Sequence, residues 1–388
     1  FRSPDLKWEA SVQYNGGIDL GLFNNRVNLT VDTYYKTTKD LLLQPSVSPV
    51  LGGLGWTDIQ TPWMNIGKVE NRGLDISLNT HNIAGKDFNW TSALSFSLNR
   101  NKVKELDDLG TPSYGRLDWY AAFQSVSMIS VGQPIGVFYG YKTDGLYKDA
   151  EDLRNSAKPE GVEIHRTTGA WVGDVKFKDI SGPNGVPDGI INEYDQTVIG
   201  DPNPDFTFGF SNTFNYKDWE LGIGLTGSVG GDILNYVRVK TEGVMSQWDN
   251  QSTTVLNRAQ LGYVNGNKYD VANVDNSYII NPNATLPRWS GNDINGNNRM
   301  SDRWIEDGSY LRIQNISLAY NLPKIWLKKT GISNCKLYFN VQNVYTFTGY
   351  SGLDPEIGSY NQQAGLSNVD MGRYPSPRVF TLGANVTF

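Results

Sequence analysis

The stretch RVFTLGANVTF (378–388) decides the fold. Phe380, Leu382, Ala384, Val386 and Phe388 alternate with Val379, Thr381, Gly383, Asn385 and Thr387. Side chains of an extended strand point to opposite faces with period two, so one face here is apolar and the other small or polar. Two architectures use that pattern. A soluble β-sandwich turns the apolar face inward; an outer-membrane barrel turns it outward to lipid and keeps the polar face toward a wet lumen.

The same alternation recurs along the chain. It is present in GIDLGLF (17–23), RVNLTVD (26–32), GLDISLN (73–79) and ALSFSLN (93–99). Phe206, Phe208 and Phe210 oppose Thr207, Gly209 and Ser211; Trp219, Leu221, Ile223 and Leu225 oppose Glu220, Gly222, Gly224 and Thr226. Leu337, Phe339 and Val341 oppose Tyr338, Asn340 and Gln342. The opposite faces carry Gly, Ser, Thr and Asn rather than the charges that solubilise an exposed sheet, which suits the inner wall of a wide barrel. Helical periodicity is confined to IWLKK (325–329).

The spacing predicts strands near 9–23, 26–43, 65–80, 88–103, 205–216, 218–232, 308–322, 333–347 and 378–388. Short turns (Asn24-Asn25, 81–87, Lys217, 323–332) alternate with long loops (44–64, 104–204, 233–307, 348–377). That sorting fits a transmembrane barrel, with tight periplasmic turns and large extracellular loops; a sandwich has no reason for it. The strand-like PIGVFYGYKTDGLY (134–147) would break the sorting as a crossing, so it is assigned to β-structure within the loop 104–204. About nine crossings is an odd number. The chain would then start outside the cell and end in the periplasm, and an open sheet leaves unpaired edges that lipid cannot satisfy. The expectation is the C-terminal portion of a larger barrel, its other strands supplied from before Phe1 or by another polypeptide.

Composition narrows the function classes. The 21 Tyr and 11 Trp have an apolar body and a polar tip, suited to boundaries between grease and water. A formal charge of −6 lacks the basic footprint of a nucleic-acid binder. Cys335 is the sole cysteine, so no internal disulfide forms, and it reads as a small packed hydrophobe. The two histidines, His81 and His165, are too far apart in sequence to suggest a catalytic or zinc cluster. No run of about 18 apolar residues suggests a transmembrane helix, and FRSPDLKWEA (1–10) is not a signal peptide.

Several phrases carry a resemblance: PDLKWE (4–9), NIGKVENRGLDISLN (65–79), VGQPIGVFYGYKTDGLY (131–147), VIGDPNPDFTFGF (198–210), DRWIEDGSYLRIQNISLAYNLP (302–323), VQNVYTFTGYSGLDPE (341–356) and YPSPRVFTLGANVTF (374–388). They span nearly the whole chain and resemble the SusC/RagA family of TonB-dependent outer-membrane transporters of the Bacteroidota. The resemblance implies an all-β fold, a transmembrane antiparallel barrel of 22 strands, of which this chain is the C-terminal part of one barrel domain (1–388), with the N-terminal plug and earlier strands absent. It implies import of oligosaccharides or peptides under a SusD-like surface lipoprotein, energised by TonB through the absent N-terminal part. Phe388 resembles the terminal aromatic that barrel-assembly machinery reads. Outer-membrane lipid is the remaining partner, and dimerisation of transporter–lid pairs is left open.

Candidate sites fall in the loops. KDISGPNGVPDGIINEYD (178–195) resembles a calcium loop, with Asp179, Ser181, Asp188, Asn192 and Asp195 as oxygen donors, although GPNGVP interrupts the alternate-residue spacing such cages use. Its role would be to stiffen the loop. Trp56, Trp63, Trp119, Tyr120, Trp248, Trp289 and Tyr360 could stack on sugars, contact the lid or pack loop against loop. Trp90 and Tyr216 fit an interfacial girdle. No nucleophile–base pairing stands out, so no enzyme is expected. Two alternatives have distinct signatures: a receptor for a metal chelate or vitamin would share the barrel but not the lid, and a glycan-binding surface sandwich would be soluble without detergent.

Overall fold

A computed structural model describes residues 6–43, 64–106, 110–117, 125–243, 249–328 and 331–388. Nine long strands form one antiparallel sheet in strict sequence order. They are β1 (Ala10–Leu22), β2 (Val27–Leu43), β3 (Met64–Ala84), β4 (Phe88–Glu105) and β5 (Pro204–Tyr216). β6 (Trp219–Gly230), β7 (Tyr310–Asn321), β8 (Asn334–Thr348) and β9 (Val379–Thr387) complete it. Each strand pairs with its sequence neighbours, so connections alternate between the two ends of the sheet, short at one and long at the other. Among the described residues the sheet is open, with β1 and β9 at its edges.

Register turns nine amphipathic strands into one apolar wall. Leu20, Leu29, Leu78, Leu94, Phe210, Leu225 and Ile313 are partnered in succession from β1 to β7. A second row, Ile223–Ile316–Val341–Phe380, continues from β6 to β9. Slipping one strand by one residue would place its apolar set on the polar side, so cross-strand pairing of like faces fixes the register. This face is uncovered: Phe380 is 64% and Leu382 82% exposed. Removing such an area from water is the strongest force acting on these strands, and a bilayer is a solvent that can do it.

The band has defined limits. Toward the short turns, Trp90 stacks on Phe214 at 5.6 Å and Trp219 packs on Tyr320 at 4.6 Å, with Tyr216 exposed beside Trp219. Toward the loops the same face becomes charged, with Arg72 opposite Arg100 and an Arg100–Asp205 ion pair of 2.6 Å. From Trp90 to Leu98, at about 3.4 Å per residue and a tilt of about 40°, the apolar stretch is roughly 21 Å tall, close to the ~25 Å band of outer-membrane barrels.

The opposite face is polar and closely spaced. Thr30 donates to Asp19 and Ser97 to Asp75, both at 2.6 Å, and Lys336 pairs with Glu220 at 2.8 Å. Gly73 is required by one close approach. The ring of Tyr34, its strand partner, lies where a Cβ would be, 2.3 Å from the ring, and the Tyr34 hydroxyl donates to Asn99 at 2.9 Å. Tyr338 covers Gly383 in the same way. Cys335 is buried against its partner strand.

Turn chemistry closes the short ends. Phe23, Asn24 and Asn25 take left-handed φ values of 54°, 56° and 61°, a conformation asparagine tolerates better than most residues. β3 runs to Ala84, past the expected limit at 80, because an irregularity between His81 and Ile83 lets pairing continue. The expected helix is a single turn, Lys324–Leu327, between β7 and β8.

Most of the buried core lies in the loops. Leu117, Val126 and Phe138 from the β4–β5 connection pack with Leu234, Val239 and Trp304 from β6–β7 and with Leu366 and Val369 from β8–β9. A second cluster joins Tyr147, Leu153, Trp171 and Val172 to Val274. Residues 137–146 form two short strands that pair with other loop strands rather than with the wall. The helices Ala150–Asn155 and Tyr236–Glu242 bury Leu153 and Val239 in these clusters.

Candidate binding surfaces of the loops and inner wall

Three loops share one core, so their polar side chains are held in fixed relation. The best-organised group surrounds Arg238, at the start of the helix Tyr236–Glu242. Its guanidinium bonds Glu242 and Glu306 at 3.0 Å each and donates to the Arg303 carbonyl at 3.1 Å. Glu306 in turn accepts from the Ser351 amide and hydroxyl, both at 2.8 Å. Burial would raise the Glu306 carboxyl; the two Ser351 donors and Arg238 outweigh it and hold the group below the usual carboxylate range. Burial also lowers Arg238, but its two carboxylate partners carry it above its ordinary value. Arg303, packed over Trp304, is brought down to about 10 by burial and by the neighbouring Arg238.

Arg238, Glu242, Glu306 and Ser351 line a cavity of about 700 Å³ with Thr241, Thr254, Asp370 and Arg373. The lining mixes hydroxyls, carboxylates and guanidinium groups, a surface able to hydrogen-bond a polar ligand of several residues or rings. Tyr350 supports it from behind, donating to Asp370 at 2.6 Å; burial and that carboxylate raise its phenol. A shallower hollow of about 440 Å³ lies on the inner wall beside Thr30, Asp75, Ser77, Ser95 and Thr226.

A deeply buried ion pair ties the loops together. Arg288 meets Asp174 at 2.9 Å, and Asp174 also accepts from the Trp171 amide and from Asn297. Asn297 further accepts from the Val175 amide at 2.7 Å.

The aromatic candidates separate. Trp289, 63% exposed, lines a hollow of about 570 Å³ between two loops. Tyr360 lines a different one, of about 430 Å³, with Ile357, Asn361 and Arg373. Trp56, Trp63, Trp119, Tyr120 and Trp248 lie outside the described residues. Phe388 directly follows β9 and is 88% exposed.

In segment 178–195 the side chains bond the backbone. Asp179 accepts from the Asp188 and Gly189 amides at 3.3 and 2.6 Å. Buried Asp195 accepts from Ile180, Ser181 and Asn192 amides at 2.8, 3.2 and 2.9 Å. Asn192 caps Tyr194, Asp188 bonds the Ile190 amide, and Ser181 reaches the Gly182 carbonyl. Among the described residues no three carboxylates or other strong ligands converge on one point. The donor set therefore fits a loop closed on its own amides better than a cation cage.

Arg238, Glu306 and Arg373 were not singled out from sequence. The pair Arg238/Glu242 carries a weak signal, opposite charges four apart on a helix. Glu306 and Arg373 give none, because only tertiary packing brings them together.

A one-sided apolar wall, a polar inner face and loops gathered at one end define a segment of a transmembrane β-barrel. The family described as TonB dependent receptor-like, beta-barrel matches residues 1–344, and the chain belongs to it. It is 35% identical to TonB-dependent receptor P3 of Formosa agariphila, over all of this chain and 35% of the relative. It is 28% identical to TonB-dependent receptor SusC of Bacteroides thetaiotaomicron, over all of this chain and 32% of that protein. Among solved structures, one of the RagAB peptide transporter superposes with TM-score 0.70 at 23% identity, covering 99% of this chain and 36% of that one. The RagAB importer in its open-open state gives 0.69 with similar coverage. The chain thus spans about a third of the length of the curated relatives it matches.

Proposed function

We propose that the chain is the C-terminal part of an outer-membrane importer of the SusC type, which carries oligosaccharides or peptides inward under TonB and a SusD-like surface lipoprotein. The nine-stranded wall with an apolar row on one face and a polar row on the other carries this reading. Further strands would complete the barrel, since the open edges of β1 and β9 cannot face lipid unpaired. The chain's role is that of wall and loop platform: the lumen is hydrophilic, and the loop cavities offer polar groups at its outer end. The curated relatives are described as receptors, in keeping with a protein that binds and moves ligands rather than transforming them. The test is uptake. Deleting the gene of the full-length protein in its own organism should abolish import of one class of oligomer, and disrupting TonB should do the same. Import unchanged by either would overturn the reading.

A further inference from the structure

We infer that the hollow between the segments 166–167 and 268–292 is a binding site for an acidic oligosaccharide, one whose rings bear carboxylate or sulfate. The inference rests on the importer reading for its biological meaning and on the geometry below for its chemistry. Arg166, Thr167, Lys268, Tyr269, Val271 and the run Arg288–Asn292 line about 570 Å³. Three of these residues are cations and none is an acid, in a chain with 40 acidic and 34 basic residues. The cavity around Arg238 has the opposite balance, with Glu242, Glu306 and Asp370 against Arg238 and Arg373. The contrast makes the hollow a local positive field on an acidic protein.

Two of the three charges are available. Arg288 is committed to Asp174. Arg166 is held without a carboxylate, by donating to the Lys268 carbonyl and lying 5.1 Å over the Tyr263 ring. Lys268 sits 5.2 Å over the Tyr269 ring. Among the described residues neither enters an ion pair; the neighbouring acid, Asp270, caps the Asn273 amide at 3.3 Å. A guanidinium held in place from the facing loop is pre-organised for an anion and loses little freedom on binding one.

The aromatics point to a ring-bearing ligand. Trp289 is 63% and Tyr269 77% exposed, although large aromatics are usually found mostly buried. Gly291 lies against the Trp289 indole, where a Cβ would stand 3.5 Å from the ring. Thr167, Ser290 and Asn292 add groups able to bond sugar hydroxyls. An acidic peptide would satisfy the cations but has no use for two exposed ring faces.

The test uses the full-length protein purified in detergent, so it does not depend on TonB or on a lid. Calorimetry would compare tetragalacturonate, its neutral methyl ester, a sulfated galactan tetrasaccharide and tetraglutamate. At least one acidic saccharide should bind about tenfold tighter than the ester, roughly the worth of one charge-assisted hydrogen bond. Added salt should narrow the gap. Lys268→Gln should remove most of it; Lys268 is solvent-exposed, so this variant should fold. Trp289→Ala should weaken ester and acid alike. Equal binding of acid and ester, no saccharide binding, tighter binding of tetraglutamate, or no effect of Lys268→Gln would each overturn the inference. Because uptake is not measured, these outcomes are separable from failure of the importer reading: binding without uptake sinks that reading alone.

Discussion

Ile316→Arg and Ser317→Arg place the same charge on adjacent residues of β7, and the wall reading predicts opposite outcomes. Ile316 lies on the apolar face, between Ile223 and Val341. Ser317 lies on the polar face, between Gly222 and Asn340. Ile316 is four residues from Tyr320 in the girdle, roughly 10 Å along the membrane normal at about 3.4 Å per residue and a tilt of about 40°, which puts it near mid-bilayer. Arginine on the lipid face at that depth costs about 2–4 kcal/mol, a fall of roughly 30- to 900-fold in the folding equilibrium. On the lumen side water remains available, and the cost should be under about 0.5 kcal/mol. Tyr320→Arg, at the interface, should cost about 0–1 kcal/mol. The assay is guanidinium unfolding of the full-length protein in lipid vesicles, followed by tryptophan fluorescence. If Ser317→Arg costs as much as Ile316→Arg, or neither costs anything, the assignment of faces is wrong and the membrane reading with it.

Other outcomes follow from single contacts. Gly73→Val should cost about 1–3 kcal/mol, because its Cβ would meet both the Tyr34 ring and the Leu98 carbonyl; adding Tyr34→Ala should recover part of the loss in a thermal melt. Arg288→Ala strands buried Asp174 and should cost about 3–5 kcal/mol, read as early proteolysis of the loops while the wall resists. Glu306 and Asp354 both have lowered carboxyl pKa values in the folded loops: against burial, Ser351 and Arg238 hold down the first, and the Ser376 and Glu356 amides with Arg312 the second. Their stabilisation is therefore complete above the unfolded values near pH ~4 and is lost as pH falls through the folded ones; loop melting followed from pH 6 to 3 should show the fall there. Calcium should leave the melt unchanged, since Asp179 and Asp195 already accept backbone amides; a rise of several degrees, abolished by Asp188→Asn, would restore the calcium loop.

The wall was legible in sequence because its code is local. Every second residue of Phe380–Phe388 or Leu221–Leu225 reports its face, and turn residues such as Asn24 and Asn25 mark the reversals. The loops do not repeat, and their structure is written in long-range contacts. Arg238 meets Glu306 across 68 residues and Arg288 meets Asp174 across 114, spacings with no periodic signature. The helix Tyr236–Glu242 went unread for a related reason. At seven residues it is too short to be stable alone, and burial of Val239 in the loop core holds it. Asp179 and Asp195 show a further limit of local reading: residue types suited to calcium are equally suited to accepting amide hydrogens, as both do here.

The shared core of the loops has a consequence for how such proteins diversify. Phe138, Trp304 and Leu366 come from three different connections yet fill one interior. A recombination that exchanges one connection would import half an interior and leave the other half unfilled, at a cost of the order of a large-to-small core substitution for each mismatched side chain. Exchange of all three connections as a block keeps the interior whole. Ligand preference on this scaffold should therefore be inherited as a cassette, with the strands between serving as a nearly neutral frame.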